Sequence, residues 1–480
     1  MLPIVLIHGY SSEGADNTAE DIYGALPVSL RKEFGAETLD INLSRWISLS
    51  DGVALDDVSF AMDRALSAHA DTLTDGFHVI IHSTGALVVR NWIKLFSSKP
   101  CPIQNLVHLA GTNFGSGLAH IGRGQMARWA RFFQGTGRGI RVLDELEFGA
   151  TKTIDLHRHF TEAGSDMYHD YQVQEFCIIG SQTLAPMRHI PIRYIKEDSS
   201  DNTVRTSASN LNYNFLSVAP TDDAFTLSVD QLKSLIEMRQ EDEILDTSDI
   251  YQFDLSDIAS ERQTVPFAIA YETAHFGDKI GIVTGSENRQ QIVPLVKRAI
   301  ATPYSETNYA SVVVAFEVER QKTFNRAAKL RSSAMEWNKQ CQYEGHAQLI
   351  FRLRDQFGTP VSDFDITIKS TPVNTSKNKL EQMIEDKHLN KKTKGIITFY
   401  LRTQSFNKRS KKWTELLDNV TTVHLEITAH EDESDDIAFA PLSIKLTPSK
   451  IQSLIQSFRT TIIDVTLLRL PTTKVFELSK

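Results

Sequence analysis

The strongest constraint on the fold of this chain is an alternation of apolar strand-like runs with amphipathic helical segments over about its first 300 residues. The strand-like runs are "PIVLIHG", "HVIIHS", "NLVHLAGT", "EFCIIGS" and "IRYIKE". Helical stretches such as "DDVSFAMDRALSAHADTL" and "ALVVRNWIKLF" lie among them, and a last helix at 287–303 ends at Pro303. Because such alternation is typical of a mainly parallel sheet with helices on both faces, the sequence predicts an α/β domain over residues 1–305.

The pattern changes near residue 305. Beyond it, "AQLIFRLRDQFGTPVSDFDITIKS", "GIITFYLRT", "TTVHLEITAHE" and "RTTIIDVTLLRL" have the pattern of strands separated by turn residues. A helical pattern interrupts them at "KNKLEQMIEDKH", residues 377–388. The sequence therefore predicts a β-rich, sandwich-like accessory domain over residues 306–480.

Composition and charge exclude several function classes. The formal net charge of −9 gives no general basis for binding nucleic acid, and the three distant cysteines have neither disulfide-framework nor zinc-ligand spacing. The start "MLPIVLIHGY" lacks the basic region of a signal peptide, and no apolar run approaches the roughly 20 residues of a membrane span. We therefore expect a cytoplasmic location by default, with signal-less export left open. Nothing in the sequence indicates an oligomeric state.

One short stretch, "VIIHSTGALVVR" at residues 79–90, places Ser83 where a predicted strand meets a predicted helix. A serine on such a turn is pushed clear of the sheet, and the following helix offers a backbone N–H and a positive dipole end to an oxyanion. Ser83 is therefore a candidate nucleophile. The alternative is a helix N-cap, which is the common role of serine at a helix start.

Several motifs in a fixed order resemble the α/β-hydrolase superfamily, and within it bacterial lipases and phospholipase-like enzymes. They are "LIHGY" at residues 6–10, "HSTG" at 82–85, "EDSSDNTVRTSASNLN" at 197–212 and "AHFGDKIGIVTG" at 274–285. The resemblance covers roughly residues 1–300. It implies an α/β-hydrolase fold with a helical cap.

The resemblance also implies site residues. Ser83 would be the nucleophile, His275 the base and Asp201 the acid, with Asp198 as the alternative acid. Two backbone N–H groups, those of Tyr10 and Thr84, would hold the oxyanion. In this sequence Ile81 stands where the family usually has glycine, which predicts crowding between the strand and the following helix.

The chemistry requires these residue types together. A serine hydroxyl becomes a strong nucleophile only when an imidazole takes its proton, and the imidazole needs a carboxylate to fix its tautomer. The alternatives are a turn or cap aspartate for Asp201 and a surface histidine for His275. Since the other histidines show no ligand spacing, the sequence predicts neither a metal site nor a cofactor.

The segment between the strand-like runs "NLVHLAGT" and "EFCIIGS", residues 113–174, is longer than one crossover helix requires, so we expect a cap over the site. Within it, Met126, Trp129 and Phe133 share one helical face, and neighbouring arginines make the segment basic. This pattern fits an interfacial lid that contacts substrate. It fits equally a cap whose apolar residues pack onto the core.

Taken together, the sequence predicts a serine carboxylic-ester hydrolase, of the lipase or phospholipase A type, acting on lipid esters. The expected partners are a lipid or other acyl ester and, at the periphery, a membrane surface, with no nucleic acid. Alternatives that use the same triad are a small-ester or thioester hydrolase and an acyltransferase. A further alternative is a non-catalytic α/β-hydrolase scaffold that binds a partner.

Overall fold

A computed structural model of the protein describes residues 1–8, 18–47, 50–116, 140–182, 197–227, 231, 247–257, 262–330, 339–372, 380–431 and 436–471. The chain divides into two compact units. The first comprises residues 1–212, 262–344 and 406–413, and the second comprises residues 213–261, 345–405 and 414–480.

The strands and helices are numbered in chain order. The strands are β1 (Ile4–His8), β2 (Thr38–Asn42), β3 (Phe77–His82), β4 (Ile103–Leu109), β5 (Gln174–Gly180), β6 (Asn214–Pro220), β7 (Tyr251–Asp257), β8 (Phe267–Ala270), β9 (His346–Asp355), β10 (Asp363–Pro372), β11 (Ile384–Leu389), β12 (Ile396–Arg402), β13 (Gln404–Asn407), β14 (Lys412–Glu415), β15 (Val420–His430), β16 (Ile437–Phe439), β17 (Leu442–Leu446), β18 (Thr460–Leu467) and β19 (Arg469–Pro471). The helices are α1 (Ala19–Tyr23), α2 (Leu26–Phe34), α3 (Leu55–Ser67), α4 (Ala70–Leu73), α5 (Gly85–Phe96), α6 (Ile140–Glu145), α7 (Thr151–His159), α8 (Thr206–Ser209), α9 (Arg289–Ile300), α10 (Glu306–Ala327) and α11 (Pro448–Leu454).

The first unit is built on a six-stranded sheet of order β2-β1-β3-β4-β5-β8, in which every neighbouring pair is parallel. Strand β3 has the sequence FHVIIH, and all six residues are buried, as expected of a strand covered on both faces. Because parallel strands all end at one edge of the sheet, the segments that follow β3, β4, β5 and β8 begin at the same edge.

A buried ion pair ties helix α5 to this sheet. The Arg90 guanidinium on α5 donates to the Glu175 carboxylate on β5 at 2.6 Å, and His108 Nε2 on β4 lies 3.1 Å from the same carboxylate. Burial alone would raise the pKa of the Glu175 carboxyl, but the Arg90 charge and the His108 hydrogen bond lower that pKa to about 2. Glu175 is therefore charged at neutral pH.

Helices α9 and α10 close the first unit. Helix α9 is the predicted terminal helix, and its Ile292, Val296 and Ile300 are buried. The 22-residue helix α10 was not predicted, and it packs in the first unit: Tyr309 Oη donates to the Glu175 carbonyl at 2.6 Å.

The second unit is β-rich, as predicted. Its six-stranded sheet has the order β11-β12-β9-β18-β6-β7, and a three-stranded sheet has the order β10-β15-β17. Residues from both sheets share one hydrophobic core that includes Phe351, Ile366 and Ile427. Strand β6 belongs here because it pairs in parallel with β18, Ile462 lying opposite Phe215.

The two units differ from the predicted boundary at residue 305 in three segments. Residues 213–261 carry β6 and β7 into the second unit, residues 306–344 carry α10 into the first, and residues 406–413 also belong to the first. The helical expectation for residues 377–388 was wrong over its described part: Leu380–Gln382 is a 3₁₀ helix and Ile384–Leu389 is strand β11. Antiparallel pairing of β11 with β12 overrides the local helical pattern. Among the described residues, no helix has the length and hydropathy needed to cross a bilayer.

The close approach of β5 to the segment after β8 gives a testable prediction. A Cβ built on Gly180 would lie 1.9 Å from the Thr273 carbonyl oxygen, so Gly180→Ala forces a backbone shift. We expect a loss of about 3 kcal/mol in the free energy of unfolding, measured by urea denaturation. Gly52→Ala is the control, because a Cβ there meets nothing within 4 Å. Equal stability of the two variants would contradict this packing.

Candidate active site

Ser83 lies on the turn between β3 and α5 in a left-handed backbone conformation, with φ of 56°. Such a conformation is unfavourable for a residue with a side chain and persists only where neighbouring contacts hold it. Here Ser83 N–H donates to the Leu109 carbonyl at 3.0 Å, and Thr112 N–H donates to the Ser83 carbonyl at 3.2 Å. The end of β4 and its following loop therefore fix the sharp turn that a nucleophilic serine requires.

The expected crowding beside this turn is relieved by glycine. A Cβ on Gly85 would lie 3.3 Å from the Cβ of Ile81, the residue that stands in place of the usual family glycine. A Cβ on Gly111 would lie 2.9 Å from the Cβ of Ala86. The first turn of α5 thus packs tightly against β3 and the loop after β4, and Ile81 fits because residue 85 has no side chain.

Three predicted residues meet at this edge of the sheet. His275 Nε2 lies 3.0 Å from Ser83 Oγ, and His275 Nδ1 lies 2.7 Å from Asp201 Oδ2. All three are buried, with at most 1% of each residue exposed, so water competes little for these hydrogen bonds. Ser83 and His275 are therefore in hydrogen-bond contact although they are 192 positions apart in the sequence.

The Asp201 carboxylate is held by its own loop. Its Oδ1 accepts the N–H groups of Thr203 at 3.0 Å and Val204 at 2.8 Å. The Asp201 carbonyl also accepts the His275 N–H at 3.0 Å. Asp198, the alternative acid, instead accepts a hydrogen bond from Gln342 Nε2 at 2.9 Å. The structure therefore brings Asp201, and not Asp198, to the imidazole of His275.

Two residues beside His275 had no role assigned from the sequence. The ring of His82 lies 4.7 Å from the His275 ring between centroids, and the Phe276 ring lies 4.3 Å from His275 in an edge-to-face contact. His82 directly precedes Ser83 and Phe276 directly follows His275, so both were in the quoted motifs. The signal in the sequence was that His82 and Phe276 are each adjacent to a candidate residue. Adjacency alone does not predict that their rings contact the His275 ring.

Burial and the nearby His275 charge hold the pKa of His82 well below its ordinary value. His82 is therefore neutral at physiological pH. A neutral aromatic ring packed on the His275 imidazole restricts its rotation without competing for its proton.

The other predicted site residues divide into two groups. Thr84 immediately precedes α5, at the helix end where backbone N–H groups have no intrahelical partner and the dipole is positive. Its position suits an oxyanion donor. The remaining residues, Tyr10, Met126, Trp129 and Phe133, lie outside the described residues. The described part of the predicted cap, up to residue 174, contains α6 and α7.

The arrangement supports transfer of the Ser83 hydroxyl proton to His275. A histidine held by a carboxylate at Nδ1 presents Nε2 as an acceptor for a serine proton. Over the part of the chain that the structure describes, no group of three or more His, Cys, Asp or Glu side chains is placed to hold a metal ion.

A parallel sheet with a serine on the β3–α5 turn and a histidine after the last parallel strand defines the α/β-hydrolase fold, which confirms the predicted fold class. The chain is similar over nearly its whole length to the solved structure of phospholipase PlaB from Legionella pneumophila, with 21% identity, 99% of this chain and 96% of that chain covered, and a TM-score of 0.76. The same phospholipase in complex with thio-NAD aligns with 20% identity, 98% and 94% coverage and a TM-score of 0.74. No protein-family model and no curated protein matches the sequence.

This likeness extends through both units and is a likeness of fold. It confirms the predicted α/β-hydrolase fold with a β-rich second unit.

The low pKa of His82 can be tested directly. In an NMR titration of ¹⁵N-histidine-labelled protein, we expect the protonation midpoint of the His82 imidazole to lie well below that of an unperturbed histidine. The His82 signals are identified as those that are missing from the spectrum of the His82→Asn variant. A His82 protonation midpoint near the unperturbed value of about 6.5 would contradict the buried ring contact.

Proposed function

We propose that this protein is a serine carboxylic-ester hydrolase of the lipase or phospholipase A type. The observation that carries the proposal is the hydrogen-bond chain from Ser83 Oγ to His275 Nε2 and from His275 Nδ1 to Asp201 Oδ2, at 3.0 and 2.7 Å. Nucleophile, base and orienting acid in such a chain support acyl transfer. The fold shared with a phospholipase supports lipid esters as the substrate class.

In the first half-reaction Ser83 Oγ attacks the ester carbonyl carbon while its proton passes to His275 Nε2. Asp201 Oδ2 accepts the hydrogen bond from the Nδ1–H of the resulting imidazolium and stabilises its charge. The carbonyl oxygen becomes an oxyanion, which the backbone N–H groups of Thr84 and Tyr10 would receive. When the tetrahedral intermediate collapses, the imidazolium gives its proton to the departing alcohol oxygen, and the acyl group remains on Ser83.

In the second half-reaction a water molecule takes the place of the alcohol. His275 removes one water proton as the oxygen attacks the acyl carbon, and the same proton then returns to Ser83 Oγ as the ester bond to the enzyme breaks. The products are the free alcohol from the first half-reaction and a carboxylic acid. The neutral ring of His82 keeps the imidazole of His275 aligned through both halves.

A lipid substrate resides in a membrane or aggregate, so we also propose peripheral contact with a lipid surface. The candidate segment is the predicted lid with Met126, Trp129 and Phe133, whose arginine-rich sequence suits anionic headgroups. A panel of phospholipid vesicles and p-nitrophenyl esters of increasing chain length distinguishes this substrate class from small soluble esters.

The nucleophile prediction concerns Ser83→Ala. We expect an active-site fluorophosphonate to label the wild-type protein at Ser83, and the variant to lose both labelling and ester hydrolysis while keeping its circular dichroism spectrum. Ser311→Ala, an exposed serine on α10, is the matched control and should retain both properties. Unchanged hydrolysis in folded Ser83→Ala would reject the enzyme proposal in favour of a scaffold.

The acid prediction compares two neighbouring aspartates. Asp201→Asn should lower kcat by about 10⁴-fold, because an amide cannot hold the productive tautomer of His275. Asp198→Asn should keep activity close to that of the wild type, since Asp198 contacts Gln342. The measurement is kcat on one short soluble ester for both variants. A larger loss in Asp198→Asn would mean that the acid is misassigned.

A further inference from the structure

Residues 387–414 contain no aspartate or glutamate. They carry nine lysines and arginines, although acidic residues outnumber these basic ones by 60 to 51 in the whole chain. Because the net charge of −9 repels anionic partners in general, a basic site must be local to attract one. Four of the nine basic residues fall within the stretch "KRSKK" at 408–412.

These four charges lie at the tip of the hairpin formed by β13 and β14, and we call residues 407–412 the basic tip. Asn407 holds its backbone: Oδ1 accepts the N–H groups of Arg409 at 3.0 Å and Ser410 at 3.1 Å. The Asn407 carbonyl accepts the Lys411 N–H at 2.8 Å, and Lys411 has a left-handed backbone with φ of 56°. The backbone that carries the charges is therefore ordered before any partner binds, which lowers the entropic cost of binding.

The charges of the basic tip face solvent. Lys408, Arg409, Lys411 and Lys412 are all exposed. Within the part of the chain that the structure describes, the last three of these form no ion pair. The first acidic residue after the basic tip is Glu415. Three positive charges on one short turn therefore have no acidic partner within the protein's described residues.

Aromatic contacts fix the base of the basic tip to helix α10. Between ring centroids, Trp413 lies 4.9 Å from Phe406 and 5.6 Å from Phe324. Trp413 Nε1–H also donates to the Phe324 carbonyl at 3.4 Å, and the Phe406 N–H donates to Glu344 Oε1 at 3.0 Å. All four residues belong to the first unit, so the basic tip is anchored on the unit that carries Ser83.

The anchor on α10 lies beside the end of strand β8. Thr323, which directly precedes Phe324, donates its hydroxyl to the Ile269 carbonyl at 2.7 Å. Ile269 is the last residue but one of β8. Since the parallel strands of the sheet all end at one edge, this contact places the base of the basic tip at the edge where Ser83 follows β3.

The anchor on Glu344 leads to the same edge. Tyr343, which directly precedes Glu344, accepts the Glu272 N–H on its hydroxyl at 3.2 Å. Glu272 lies in the segment between β8 and His275. Because a strand rises about 3.3 Å per residue, the charges of the basic tip lie within roughly 10 Å of this anchored base.

We infer that the basic tip is a docking site for the anionic headgroups of a phospholipid bilayer. Lysine and arginine are attracted to the negative potential of such a surface, and the attraction is confined to short range by salt. The choice of a bilayer over a nucleic acid rests on the proposed function, because a lipid ester would reach Ser83 from the same surface. The basic tip would then be a second contact besides the predicted lid.

Vesicle binding tests the inference without requiring catalysis. Full-length protein is titrated with vesicles of ether-linked phosphatidylcholine, prepared with and without ether-linked phosphatidylglycerol, since an ester hydrolase cannot cleave either lipid. We expect tighter binding to the vesicles that contain phosphatidylglycerol, and a loss of that preference as the salt concentration rises. Equal binding to the two kinds of vesicle, or no binding, would overturn the inference.

The triple variant Arg409→Gln/Lys411→Gln/Lys412→Gln removes three of the four charges. One basic residue near an anionic surface changes affinity about fivefold, so we expect the Kd for phosphatidylglycerol vesicles to rise about a hundredfold. The kcat on a short soluble ester should stay at the wild-type value. If the wild-type protein cleaves no ester, the proposed function fails, whereas the vesicle titration still tests the basic tip, with circular dichroism as the check on folding.

The matched control, Lys32→Gln/Arg64→Gln/Arg298→Gln, makes the same change in net charge at exposed positions on α2, α3 and α9. We expect its Kd for the same vesicles to stay close to that of the wild type. An equal rise in both triple variants would show that net charge, and not the basic tip, controls binding, and would overturn the inference. Binding to a DNA duplex that is lost in the tip variant, without binding to vesicles, would overturn it in favour of nucleic acid.

Discussion

The site depends on one constraint: the Asp201 carboxylate is fixed by the backbone of its own loop. Two N–H groups, from Thr203 and Val204, occupy Oδ1, so Oδ2 is left to face His275 Nδ1. The Asp201 carbonyl holds the backbone of the histidine as well. Because the main chain and the ring of His275 are both fixed, its Nε2 lies within hydrogen-bonding distance of Ser83 Oγ. The turn that carries Ser83 is itself held by the end of β4.

Much of this arrangement could be predicted from the sequence, because strand-helix alternation and the order of the motifs depend on local patterns. The parallel sheet and the β3–α5 turn at Ser83 follow from such patterns, whereas the loop carrying His275 was predicted from the resemblance to α/β-hydrolases. The choice of Asp201 over Asp198 followed from the resemblance. In the structure the Asp201 carboxylate contacts His275, whereas the Asp198 carboxylate contacts Gln342, and the sequence does not reveal these partners.

The remaining features required tertiary structure. Residues 377–388 have a helical pattern, yet β11 forms because β12 offers it backbone partners. Helix α10 falls after the composition change, and its contacts with Glu175 and β8 place it in the first unit. Ile81 fits beside the turn because Gly85, four residues later, has no side chain. Considering each position of the sequence separately does not reveal that these two residues are in contact.

The pairing of β6 with β18 has a consequence for synthesis on the ribosome. Strand β6 ends at Pro220, but the strand that completes its parallel pairing ends at Leu467. At about 5–20 residues per second, the ribosome needs on the order of tens of seconds to supply the second strand after the first. During that interval β7 is the one strand already made among the partners that the described residues give β6. A nascent chain of this length presents an unfinished sheet to chaperones before its second unit can close.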